Sequence, residues 1–190
     1  MIDCEQHTDI EVIHLAIGES AYFVCLYNKY QSQFLRYIHR TSNVEAEDAE
    51  DILQEAFVKI WRNIHSFDTN MKFSTWAYRI VHNETVSFWR KQKKMGVEQL
   101  MALEESDGSV DVQHDEKEAS QKEAAIKKVL SKLSPDYKDI LILRYFEYLD
   151  YEEISDVLKI PMGTVATRIN RAKKRFVKVA NDKNINFFEE

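Results

Sequence analysis

Between Pro161 and Lys183 the chain carries seven basic residues, Arg168, Arg171, Lys173, Lys174, Arg175, Lys178 and Lys183, against one acid, Asp182. Such a concentration suits one kind of chemistry, the neutralisation of nucleic-acid phosphates by protein cations. A helix from about Gly163 to Val177 would sort these residues into faces. Val165, Ile169, Ala172 and Phe176 then fall within about 60° of one another, while Thr164, Thr167, Arg168, Arg171, Lys174, Arg175 and Lys178 lie on the other side. The threonines suit base edges or phosphates, the Arg and Lys residues suit phosphates, and Asn170 can pair with an adenine edge. An ordinary α-hairpin with a solvated basic face is the plain alternative, because basic residues near a helix end also complement the helix dipole.

Other chemistries find little material. The six histidines, His7, His14, His39, His65, His82 and His114, show no metal-ligand spacing. Four glycines could hardly build a phosphate-cradling loop. Carboxylate pairs such as Glu152 and Glu153 sit at helix starts, where capping and dipole explain them. No catalytic set, cofactor or metal site is therefore expected. Cys4 and Cys25 have neither metal-type nor redox-type spacing, and Cys25 sits in an apolar helical pattern, as a small core residue would. An intracellular, reducing compartment fits these two cysteines.

The basic helix needs a partner to hold it. Asp150 can cap a short helix from Tyr151, with Glu153 completing a capping box, and Ile154, Val157 and Leu158 supply its core positions. Ile160-Pro161 ends that helix, since proline disfavours helical backbone at the residue before it. Two helices across a tight turn, the second apolar on one side and cationic on the other, make a helix-turn-helix.

The whole 190-residue chain reads as all-α. It is 44% hydrophobic and 12% aromatic, with only 4 Gly and 2 Pro and no alternating strand runs. Residues 1–94 form one helical zone, with helices expected at Ser20 to Arg40, Glu47 to Ile64 and Phe73 to about Lys93. In the second of these, Ala49, Ile52, Ala56, Ile60 and Ile64 mark a buried stripe and Asp48, Asp51, Gln54, Glu55, Val58 and Arg62 the opposite face. Residues 95–121 read as a flexible acidic linker, and residues 122–190 as the second small domain. From Glu98 to Glu123 nine acids meet two bases, so the net charge of -6 hides two opposed patches. The N-terminus lacks a signal-peptide core, and the longest aliphatic run, Ile140 to Leu143, is too short to span a membrane. A cytoplasmic protein with no membrane insertion is expected.

Tyr151 to Leu158 followed by Ile160 to Phe176 closely resembles region four of bacterial sigma factors, the extracytoplasmic-function group of the sigma-70 family in particular. Leu133 to Asp136 and Leu143 to Phe146 match as well. Ala49 to Trp61 and Phe73 to Asn83 resemble region two. The resemblance runs from about Gly18 to Val179, and two ordered motif sets at the right separation make it specific. It implies a subunit that binds core RNA polymerase, recognises two promoter elements and helps open the duplex.

The resemblance also implies roles for residues. Asp51, Gln54, Glu55 and Val58 would dock on the clamp helices of the largest polymerase subunit. Phe67, Lys72, Arg79 and Asn83 would serve the minus-ten element, with Phe67 and Asn83 at the positions that capture an unpaired base and Arg90 and Lys91 near the phosphates. Thr164, Thr167, Arg168, Asn170, Arg171 and Lys174 would read the minus-thirty-five element. Family members often carry a basic residue at the place of Ala166 and an aromatic at that of Asn170, so a different minus-thirty-five preference is expected. Implied partners are core RNA polymerase, promoter DNA and a membrane-associated anti-sigma factor. A repressor that binds duplex alone would need no region-two-like domain, and a protein-only adaptor would be indifferent to loss of Arg168 and Arg171.

Overall fold

The computed structural model describes residues 4, 6–42, 44–100, 117–183 and 185, with side chains throughout except at 94–100 and 117–122. Among these residues there are eight α-helices and no strand. The chain divides into two compact units. One holds α1 (Asp9–Gly18), α2 (Phe23–Thr41), α3 (Ala46–Asn63) and α4 (Phe73–Leu100). The other holds α5 (Lys117–Leu130), α6 (Pro135–Tyr145), α7 (Tyr151–Leu158) and α8 (Met162–Asp182), apart from the last three residues of α7, which group with the first. Helix thus enters both ends of the stretch expected as linker, and residues 101–116 of that stretch lie outside those described.

The first unit is built around aromatic rings. Tyr30, Phe34 and Tyr37 of α2 are buried at intervals of three and four residues, as one face of a helix requires. Phe34 meets Tyr78 of α4 edge-on at 5.0 Å between ring centres, and Tyr27 of α2 leans on Phe57 of α3 at 4.7 Å. The expected stripe on α3 is buried in full, Ala49, Ile52, Ala56, Ile60 and Ile64, and Leu53 and Phe57 widen it. Polar ties join the layers: Lys59 of α3 donates to Glu84 of α4 at 2.6 Å, and Tyr37 bonds Nδ1 of His82 at 2.9 Å.

Helix α1 starts at a capping box in which Thr8 accepts from the Glu11 N–H and Glu11 accepts from the Thr8 N–H. That bond holds the Glu11 carboxyl below its usual range. Val12, Ile13 and Ala16 face inward, and Asp9 accepts hydrogen bonds from Lys29 and Tyr30, each at 2.5 Å. Burial and the Asp9 contact push the Tyr30 hydroxyl well above the ordinary tyrosine range.

One expectation is corrected here. Cys25 is buried, as its apolar setting requires, but it is no free core thiol: it is disulfide-bonded to Cys4, with Cα atoms 5.3 Å apart. The pair is 21 residues apart in sequence. No short cysteine motif could announce it, because α1 has to fold back before the two sulfurs meet.

In the second unit, Ile140, Leu141, Ile142 and Leu143 of α6 are all buried. Four consecutive apolar residues span a full helical turn, so α6 is surrounded rather than laid on a surface. Val165, Ile169 and Ala172 of α8 are buried as well, and α6 and α8 pack directly on each other.

Candidate nucleic-acid interface

The turn between α7 and α8 is set by local chemistry. Asp150 accepts from the Glu153 N–H and Glu153 from the Asp150 N–H, both at 2.8 Å, so the expected capping box is formed. Lys159 ends α7 with left-handed backbone, φ 53°, and the Ser155 hydroxyl donates to the Ile160 carbonyl across the turn at 2.6 Å. Pro161 then caps α8 without needing a backbone N–H.

This turn presents the polar side of α8. Thr167, Asn170, Arg171, Lys174 and Lys178 are exposed and lie within about 100° of one another at 3.6 residues per turn. Thr164 and Arg168 border that strip, half-buried. The Thr167 hydroxyl donates to the Gly163 carbonyl at 2.9 Å, which commits its proton and leaves its oxygen lone pairs as acceptors. At the N-terminal half of α8, Asp136, Tyr137, Gly163, Thr164, Thr167, Arg168 and Arg171 line a cleft of about 450 Å³. Arg168 stands 3.9 Å from the Asp136 carboxylate, which is itself largely exposed. Tyr137 had no signal in the sequence and Asp136 had one only as the end of the matching Leu133 to Asp136 stretch, because both come from α6 and reach this surface only through the packing of α6 on α8.

The segment that resembles a minus-ten reader divides differently. Phe67 is nearly buried, 9% exposed, with its ring 5.8 Å from that of Phe73 and 5.3 Å from that of Trp76. Its side chain is thus part of a three-ring cluster at the start of α4. Trp76 and Tyr78 are core, as aromatics at helical spacing usually are. Lys72 and Asn83 are exposed and Arg79 is half-buried. Arg79, Asn83 and Arg90 follow one another along α4 at intervals of four and seven residues, on one side of the helix. Trp89 is 44% exposed beside Arg90. Sequence reasoning did not single it out, because no motif or spacing marks an exposed indole.

On α3, Asp51, Gln54, Glu55 and Val58 are all exposed and share one face, opposite the buried stripe. Val58, 40% exposed, leaves an apolar spot among acids. A mixed face of this kind suits contact with a cationic partner better than with DNA.

Two domain families match this chain, Sigma-70 region 2 over residues 26–95 and Sigma-70 region 4 over residues 123–176. The ECF RNA polymerase sigma factor SigW of Bacillus subtilis is 32% identical over 173 residues, covering 87% of this chain and 92% of that protein. The chain belongs to the extracytoplasmic-function sigma factors. The ECF RNA polymerase sigma-E factor of Haemophilus influenzae is 30% identical over 179 residues, 90% of this sigma factor and 94% of that one. In fold it resembles RpoE of Bartonella quintana, solved with the anti-sigma factor NepR, at a TM-score of 0.68 and 23% identity, covering 84% of this chain and 96% of that one. As a sigma factor it directs RNA polymerase to promoters. No helix among its described residues is long and apolar enough to cross a membrane.

Proposed function

We infer a division of labour within this sigma factor. The exposed face of α3, with Asp51, Gln54, Glu55 and Val58, docks on core polymerase. The Phe67–Asn83 segment takes the minus-ten element, with Lys72, Arg79 and Arg90 at phosphates and Asn83 at a base edge. Helix α8 enters the major groove of the minus-thirty-five element, where Thr167, Asn170, Arg171 and Lys174 are presented outward and Thr164 and Arg168 border them. The observation that carries this reading is the exposed polar strip of α8 standing on a capped two-helix turn. The protein works in the cytoplasm without enzymatic activity of its own, and an anti-sigma factor holds it there, as NepR accompanies the structurally similar RpoE.

Run-off transcription with purified core enzyme, followed by start-site mapping, tests the assignment. The expected result is initiation at discrete start sites that requires this chain. Arg171→Ala should weaken promoter binding by the holoenzyme and reduce its salt slope by about one. Tight binding of promoter duplex by the chain alone, together with failure to bind core, would reject the reading.

A further inference from the structure

The disulfide between Cys4 and Cys25 sits uneasily with a protein that must meet RNA polymerase. Disulfides are rare in a reducing interior, and those found there are usually transient and serve redox sensing or catalysis. We propose that Cys4 and Cys25 form a reversible redox site that clamps α1 onto the first unit when oxidised and releases it when reduced.

Four features of the first unit support this. The bond closes a loop that contains the whole of α1 and the 3-10 turn Ser20–Tyr22 that joins it to α2, so it ties that helix directly to the start of α2. Among the described residues, α1 fully buries just three apolar side chains, Val12, Ile13 and Ala16, and its Asp9 accepts from Lys29 and Tyr30. A ten-residue helix with so small a buried face is marginal by itself. The two sulfurs also differ in access: Cys25 is 4% exposed, whereas Cys4 is half-buried on a short N-terminal segment. Helix α1 further packs on the 3-10 turn at Ile64–Ser66 that leads straight into Phe67. Loosening α1 therefore removes support from the start of the segment assigned above to the minus-ten element; that last step rests on the assignment, whereas the redox step does not.

The chemistry balances with a small disulfide such as oxidised glutathione as the oxidant. The Cys4 thiolate attacks it, forming a mixed disulfide and releasing one glutathione thiolate. The Cys25 thiolate then attacks the Cys4 sulfur and releases the second. Two protein thiols become one disulfide, and two protons and two electrons pass to two glutathione thiols. Reduction is the same sequence reversed.

The test equilibrates the full chain in glutathione buffers of graded ratio, counts alkylatable thiols by mass, and follows amide exchange of residues 9–18. Two thiols should appear together as the buffer becomes reducing, at ratios within the intracellular range. Exchange of α1 should rise at least ten-fold over the same interval, and the unfolding temperature of the first unit should fall by roughly 10 °C. Cys4→Ser should hold the exchange rate at its reduced value in every buffer, while a buried Cys25→Ala can perturb packing and is the weaker variant. A bond that resists millimolar reduced glutathione overturns the proposal, as does one that never forms in millimolar oxidised glutathione. Equal α1 exchange in both states also overturns it. With core polymerase, the oxidised chain should open promoters several-fold better than the reduced one, a difference that Cys4→Ser abolishes. Failure to open any promoter in either state would instead strike at the minus-ten assignment and leave the thiol result standing.

Discussion

Asp139 on α6 has a carboxyl pushed up to about 7, first by burial, with Asp136 adding to the rise and Lys138 opposing it. Burial likewise lowers the neighbouring Lys138 amine, against the pull of Asp139. The folded protein therefore prefers a protonated Asp139, and the unfolded chain releases that proton at a lower pH. This contribution to stability is fully present below about pH 4 and is lost as pH rises through about 7. Asp139→Asn should flatten that dependence, which denaturant titrations of both proteins at pH 5 and pH 8 will show as a smaller difference for the variant. Phe67 and Asn83 make a second contrast at this scale. Phe67→Ala empties a place in a ring cluster and should cost about 3–5 kcal/mol of stability. Asn83→Ala, at an exposed site, should change stability by about 0.5 kcal/mol or less yet lower promoter opening, measured by permanganate reactivity of unpaired thymines. Equal losses of stability in the two variants would mean that Asn83 is structural as well.

The helix-turn-helix depends on how its first helix begins. Asp150 and Glu153 satisfy two N–H groups that α7, only eight residues long, could not satisfy itself. Asp150→Ala should cost about 1 kcal/mol, read as a lower thermal midpoint of the second unit with the first unit unchanged. The cap, the proline break and the buried stripes of α3 and α8 were legible in the sequence because each depends on neighbours within a turn or two. The bounds of α4 and α5 were less so. The charge-rich flanks around Lys93 and Lys117 have no apolar stripe to count, yet Lys, Glu and Gln continue a helix readily. What depended on distant parts of the chain was not legible at all: the partner of Cys25, the reach of Asp136 and Tyr137 to the α8 cleft, and the burial of Phe67 beneath Trp76.

Across the molecule, acid predominates, with a net charge of -6, while cations gather on α8. Attraction to DNA is thus local, drawn by α8 and by the cations proposed for the minus-ten element, against a net repulsion from the rest of the charge. At the α8 face, Asp136 lies 3.9 Å from Arg168 in an exposed, weak pair. The reading surface so carries a resident rival for its own arginine. On the reading proposed for α8, a duplex that presents only phosphate competes with that carboxylate for Arg168, whereas a site offering Arg168 a guanine edge recovers the loss. Asp136→Asn should therefore lengthen holoenzyme residence on unrelated DNA more than on its promoter, shortening the list of sequences it can tell apart. Competition assays with non-promoter duplex will measure the ratio. Seen this way, a side chain on α6 sets how quickly the factor lets go of the wrong place, and so how much of its time it spends searching.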